Sequence, residues 1–204
     1  MEKVEAIKKW LGNGSINIFG LPMSGKDTVG VRLAEMLGGK FLSSGMIIRA
    51  KEKESGKSLT GDGQLAPTDV FYELVLPYFG REDLKQFPLV LSSIGRWSGE
   101  EKEVMGAAKE AGHEIKAAVI LNISEADVMS RWEAAKVLND RGGRDDDRSK
   151  EIFEKRINEF REKTLPVIQT YQDLGILVNV KADMSREEVF QELIDRLYEF
   201  SLNS

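Results

Sequence analysis

The sequence predicts an α/β domain: a five-stranded parallel sheet in the middle of three layers, with helices on both faces. Three observations carry this. Short apolar runs alternate with longer amphipathic stretches along the 204 residues. The apolar runs are near-continuous rather than alternating, as strands covered on both faces require. The first of them ends in a glycine-framed loop that passes directly into a helical period. Hydrophobic residues make up 41% of the chain, enough for a full core, and the length suits one domain over 1–204 with inserted lobes.

Residues 2–11 read as an amphipathic helix with Val4, Ile7 and Leu11 on one face, placed to cover a sheet edge. Residues 16–19 form the first strand, and 27–37 a helix stopped by Gly38-Gly39. Phe41-Leu42 is a short second strand. The stretch 43–87 is too long for a simple crossover and reads as an inserted lobe with helical pieces at 47–53 and 68–78. Residues 88–91 are the third strand, 99–111 a helix closed by Gly112, 117–121 the fourth strand and 125–138 a further helix. A small insertion rich in glycine, arginine and aspartate occupies 139–147. Residues 150–174 are helical, and Pro166 inside them predicts a bend or a split. Gly175 ends that segment, 176–180 is the fifth strand, and 186–200 the last helix.

Composition excludes several function classes. No window of about 18 apolar residues exists, so no membrane span is expected. The N-terminus carries mixed charge and lacks a signal core. There are no cysteines, which removes disulfides, thiolate metal sites and cysteine nucleophiles, and fits a cytoplasmic protein. A net charge of −5 disfavours extended nucleic-acid binding, although local arginine clusters can hold a small phosphorylated ligand.

The loop between the first strand and the first long helix, Gly20-Leu21-Pro22-Met23-Ser24-Gly25-Lys26-Asp27-Thr28, has the layout of a phosphate-binding loop. In that layout backbone N–H groups and a helix N-terminus surround an anion. Lys26 then reaches the β- and γ-phosphates and a hydroxyl touches the Mg²⁺ shell. The match to G-x-x-x-x-G-K-[ST] fails only at its last position, where Asp27 stands and Thr28 follows one place later. The plain alternative is a tight glycine turn with an exposed lysine.

Beyond the loop, residues 15–200 resemble the adenylate kinase family of nucleoside monophosphate kinases. Gly20, Pro22, Gly25, Lys26 and Thr28 fit the family's G-x-P-x-x-G-K-x-T, with Ser24 inside it. Ser44-Gly45 and Arg49 look like the entry to the monophosphate-binding lobe, and Gly63-Gln64-Leu65-Ala66-Pro67 is similar to the hinge G-x-L-x-P. Ser92-Ser93-Ile94-Gly95-Arg96 falls where the family has D-G-F-P-R, and Arg144-Asp145-Asp146-Asp147 resembles the lid's R-x-D-D. Lys155-Arg156 and Thr164-Leu165-Pro166 resemble the following helix. The resemblance implies a P-loop nucleoside-kinase fold and transfer of the ATP γ-phosphate to a nucleoside monophosphate. It implies Lys26 on the moving phosphoryl group, and Arg49 and Arg96 on the acceptor phosphate. Arg131 then packs at the donor adenine, Arg144 and Arg156 complete a charge clamp, and Asp146 and Asp147 hold a closed lid. Mg²⁺ comes with ATP, with Thr28 touching it through water. The short, cysteine-free lid holds no zinc. No nucleic-acid or membrane partner is implied, and a monomer is expected. The physics agrees, because phosphoryl transfer needs two polyanions held in line with cations spread over the charge.

The chain also departs from the family. Ser92 stands where an aspartate helps hold the Mg²⁺ water shell, Met46 replaces an aspartate of the lobe, and Met23 a loop glycine. Asp27 either supplies the missing carboxylate from the loop side or is a helix N-terminal aspartate stabilised by the dipole. Glu100 falls near the family's adenine-reading glutamine. It either accepts from a donor-rich base edge, such as that of guanine or cytosine, or starts the helix that follows. Trp97 either stacks on a base or packs at the sheet edge. His113, the only histidine, reads as a surface or capping residue. Two rival functions stay open: a small-molecule kinase with a non-nucleotide acceptor, and a nucleotide-binding module with little turnover.

Overall fold

The computed structural model describes residues 2–60, 64–138 and 149–204. Its five strands are β1 (Ser15–Gly20), β2 (Lys40–Ser43), β3 (Leu89–Ser92), β4 (Ile115–Asn122) and β5 (Leu177–Lys181). They form one sheet in the order β2-β3-β1-β4-β5, parallel at every pairing. The central strand β1 is buried along its whole length, its polar residues Ser15 and Asn17 included; Ser15 Oγ donates to the His113 carbonyl at 2.8 Å.

Helices α1 (Glu2–Leu11), α2 (Lys26–Leu37) and α9 (Arg186–Leu202) cover one face. Ile7, Leu33, Leu193 and Leu197 meet Ile16, Ile18, Val90 and Val119 there. The other face carries α3 (Ser44–Ser55), α4 (Thr68–Leu74), α5 (Glu100–Glu110), α6 (Glu125–Leu138), α7 (Lys150–Glu159) and α8 (Leu165–Asp173). Phe71, Val104, Trp132, Phe153 and Tyr171 meet Phe19, Leu89, Leu91 and Ala118 on that side. Alternate residues of one strand, such as Ile18 and Phe19, thus feed opposite cores.

Three expectations are refined. The long helical segment divides, with a π-helical turn at Phe160–Thr164 between α7 and α8 and Pro166 in the first turn of α8. Proline lacks the N–H that an unbroken α-helix needs there. The second lobe helix ends at Leu74 and continues as a 3₁₀ turn, Leu76–Gly80, with Pro77 at its start. His113 is not on the surface. It is fully buried, with Nδ1 3.0 Å from the Asn13 carbonyl and its backbone N–H on the Ala108 carbonyl at 2.7 Å.

In sequence order the chain leaves β1 toward β2 and β3 on one side, then toward β4 and β5 on the other. The loops therefore part beside the C-terminal end of β1, where open parallel sheets form their binding crevice.

Candidate active site

The phosphate loop grows out of the C-terminal end of β1. Gly20 has no room for a side chain, since a Cβ there would stand 2.6 Å from Ser24 Oγ. Gly25, at φ 90°, turns the chain into α2. Met23 adopts φ 65°, and Ser93 φ 51°; they are the two non-glycine residues in the left-handed region among the described residues. Both line the same cleft, and strained backbone of this kind gathers at functional sites. Arg131, from α6, braces the loop. Its Nη1 donates to the Met23 and Ser24 carbonyls at 3.4 Å each, and its Nη2 to those of Ala182 at 2.8 Å and Met184 at 3.4 Å.

The cleft beside the loop brings together Lys26, Arg49, Arg96 and Arg156, from four separate segments of the chain. Thr28, Ser44, Gly45 and Asp27 line it too. The Arg49 guanidinium folds over Gly45, where an added Cβ would lie 2.9 Å from Nη1. Burial, and then the charge of Arg156, push the Arg96 guanidinium down to about 10, partly offset by Glu159, Glu100 and Asp27. Its Nε is buried with no hydrogen-bond partner among the described residues. A buried donor in a cationic cleft calls for an acceptor, such as an anion or an ordered water.

The wall beneath is fixed by hydrogen bonds that local patterns do not show. Asn17 on β1 donates to the Ile94 carbonyl at 2.7 Å, and the Ile94 N–H returns to Asn17 at 3.3 Å. Ser44 Oγ donates to the Ser93 carbonyl at 2.8 Å. Ser92 Oγ, at the end of β3, donates to Asp27 Oδ1 at 2.5 Å. Asp27, Thr28 and Ser92 offer hard oxygen donors, which suit a Mg²⁺ that keeps most of its waters and binds mainly through phosphates. Among the described residues no group of three or more His, Cys, Asp or Glu is placed so that it could hold a metal ion.

Leu65 and Glu100 do not line this cleft. Glu100 is buried, and its carboxylate accepts from the Arg96 N–H at 2.8 Å, the Trp97 N–H at 3.0 Å and the Thr68 hydroxyl at 2.9 Å. Of its two readings, the helix-starting one describes these contacts. The Leu65 N–H donates to Glu159 at 3.2 Å, and Glu159 pairs with Lys163 at 2.6 Å. Trp97 Nε1 donates to the Ala66 carbonyl at 3.2 Å while Lys163 sits 3.9 Å from its ring centroid. Residues 65–68 are thereby tied to α5 and to the helical segment from α7 onward. Arg144, Asp146 and Asp147 lie outside the described residues. Sequence reasoning missed Asn17, Glu159 and Lys163. A lone asparagine in an apolar strand, and an acid four residues before a lysine, were the available signals.

Comparison with known proteins agrees with this geometry. The family model described as an AAA domain matches residues 19–153. An adenylate kinase of Bacteroides fragilis is 28% identical, over 88% of this chain and 95% of its own. An adenylate kinase of Thermus thermophilus is also 28% identical, over 88% and 94%. A UMP-CMP kinase of Lentinula edodes is 29% identical, over 87% and 82%.

Proposed function

We propose that this chain, which belongs to the AAA-domain family and to the adenylate kinase family, transfers the ATP γ-phosphoryl group reversibly to a nucleoside monophosphate, giving two diphosphates. It is a phosphotransferase. The observation that carries the acceptor assignment is Arg96, half-buried, with a buried Nε that has no hydrogen-bond partner among the described residues, beside Arg156 and in one cleft with Arg49 and Lys26. Among the described residues lining the cleft, four cations stand with one acid, Asp27, an arrangement suited to two bound phosphate chains.

In this reading the donor phosphates lie on the N–H groups of residues 20–28, with Ser24 inside the loop and Arg131 holding its shape. Lys26 stabilises the group in flight. Arg49 and Arg96 hold the acceptor phosphate, Ser44 and Gly45 shape its seat, and Arg156 closes the charge clamp. Residues 43–87 act as the acceptor lobe and 139–147 as the lid, with Arg144 joining the clamp and Asp146 and Asp147 holding the lid shut. Mg²⁺, when bound with ATP, neutralises charge on the β- and γ-phosphates. Thr28 is the hydroxyl that touches its water shell.

One observation favours a second reading of the acceptor. The polar groups that start α5 are spent on the protein itself, since Glu100 and the indole N–H of Trp97 both have internal partners. An acceptor whose body is not a nucleotide fits that arrangement. ADP formation from Mg-ATP with AMP, GMP, CMP, UMP and dTMP offered separately decides. Turnover with any of them supports the nucleoside monophosphate reading. ATP binding without turnover on all five overturns it in favour of a non-nucleotide acceptor or of a nucleotide-binding module with little turnover.

A further inference from the structure

We propose that the carboxylate arranging the waters of the nucleotide-bound Mg²⁺ stands on the phosphate loop, at Asp27, with Ser92 as its positioning residue. The proposal rests on the phosphoryl-transfer reading above.

Asp27 and Ser92 are 65 residues apart, and only the register of β3 beside β1 brings them together. Ser92 is 1% exposed, so its hydroxyl has a fixed place, and it donates to Asp27 Oδ1 at 2.5 Å. A hydroxyl aimed at one carboxylate oxygen sets the plane of that carboxylate, as outer partners of metal ligands do. Asp27 follows Lys26 directly and precedes Thr28, so the carboxylate shares the cleft with the residues that meet the donor phosphates.

Charge selects the same residue. Among the described residues lining the cleft, Asp27 is the one acid against four cations, Lys26, Arg49, Arg96 and Arg156. The neighbouring acids are engaged elsewhere: Glu100 on backbone N–H groups and Thr68, Glu159 on Leu65 and Lys163. Mg²⁺ bound with a nucleotide takes one or two carboxylates, often through water, and phosphate oxygens for the rest. A single oriented carboxylate beside a threonine hydroxyl meets that need without a protein cage. The hydroxyl fixes the orientation of the carboxylate, which the water shell of a metal uses and a helix dipole does not require.

The test measures metal-dependent nucleotide binding, not turnover. Binding of the non-hydrolysable analogue AMP-PNP is titrated calorimetrically with Mg²⁺ and with EDTA. The proteins are the wild type, Asp27→Asn, Ser92→Ala and the exchange Asp27→Ser/Ser92→Asp, with thermal unfolding recorded for each. The expected result is that Asp27→Asn loses about 10–100-fold of the Mg²⁺-dependent tightening. The exchange, which returns a carboxylate to the same hydrogen-bonded pair, should recover most of it. An Asp27→Asn protein that is less heat-stable but keeps the full Mg²⁺ gain is a dipole effect and overturns the proposal. So does a folded exchange variant with no recovery. Should Asp27→Asn fail to fold, Ser92→Ala decides through the EPR spectrum of Mn²⁺ with AMP-PNP, expected to broaden as the carboxylate loses its anchor; an unchanged spectrum overturns the idea. The two readings fail separately. A wild type with the expected Mg²⁺ pattern but no monophosphate turnover removes the function proposed above and leaves Asp27 in place. Turnover with an Asp27→Asn protein of undiminished Mg²⁺ gain does the reverse.

Discussion

Replacing Glu100 by glutamine separates a residue that reads a base from one that holds the protein together. Glutamine keeps the shape. Its carbonyl can accept from the Arg96 and Trp97 N–H groups, and its amide can donate to Thr68, whose hydroxyl turns to accept. What is lost is charge assistance. Hydrogen bonds to a charged group contribute about 1.5–3 kcal/mol and neutral ones about 0.5–1.5. Part of the difference returns because the neutral side chain is cheaper to bury, so the expected loss is about 1–2 kcal/mol. For a chain of this size that lowers Tm by about 2–8 °C. Glu100→Ala leaves the same three donors without an acceptor and should cost about 3–6 kcal/mol, a large share of a typical total of about 5–15. Thermal and urea unfolding measure both variants, and the monophosphate panel is run alongside on Glu100→Gln. The rank order of acceptors should not change. A switch of preferred base by more than about tenfold, with Tm unmoved, would refute the structural assignment, because only a residue touching the base can do that.

Three further outcomes are expected. Lys26→Met should fold normally and lower turnover by about 10²–10³-fold or more, measured as ADP release. Gly45→Ala puts a methyl 2.9 Å from Arg49 Nη1, the mobile end of a side chain; Tm should hardly move, while kcat/KM for the acceptor falls by up to about 10²-fold. The folded-state pKa of Arg96, pushed by burial from the ordinary arginine range down to about 10, means that its charge opposes folding below pH 10 and that this penalty fades as pH rises above 10. Arg96→Met should accordingly raise Tm of the ligand-free protein by about 2–4 °C at pH 7, and inorganic phosphate, which should stabilise the wild type, should stabilise this variant less.

Much of this architecture is written locally. Strands covered on both faces carry mostly apolar side chains, so residues 16–19, despite Asn17, and 117–121 were readable as β1 and most of β4. The start of β4 was not, because Lys116 interrupts the run; its ammonium reaches the Trp10 carbonyl at 2.6 Å, a contact that depends on α1. Pro166 announced a break, but whether the chain bends or passes through a π turn depends on what α7 and α8 pack against. The loop glycines and Lys26 were legible because the turn itself demands them. Glu100 had two roles compatible with its sequence, and the backbone donors that separate them exist only once α5 has formed. The contact of Asp27 with Ser92 depends on strand register and leaves no local trace.

The four carbonyls held by Arg131 carry a lesson for engineering. Residues 20–28 look like a portable cassette, yet one guanidinium from α6 fastens two of their carbonyls to two others just before α9. Transplanted onto another scaffold, the cassette would keep its glycines and lose its brace. Transplantable phosphate recognition in this protein therefore comprises three pieces: the loop, the arginine, and the turn after β5 that shares it.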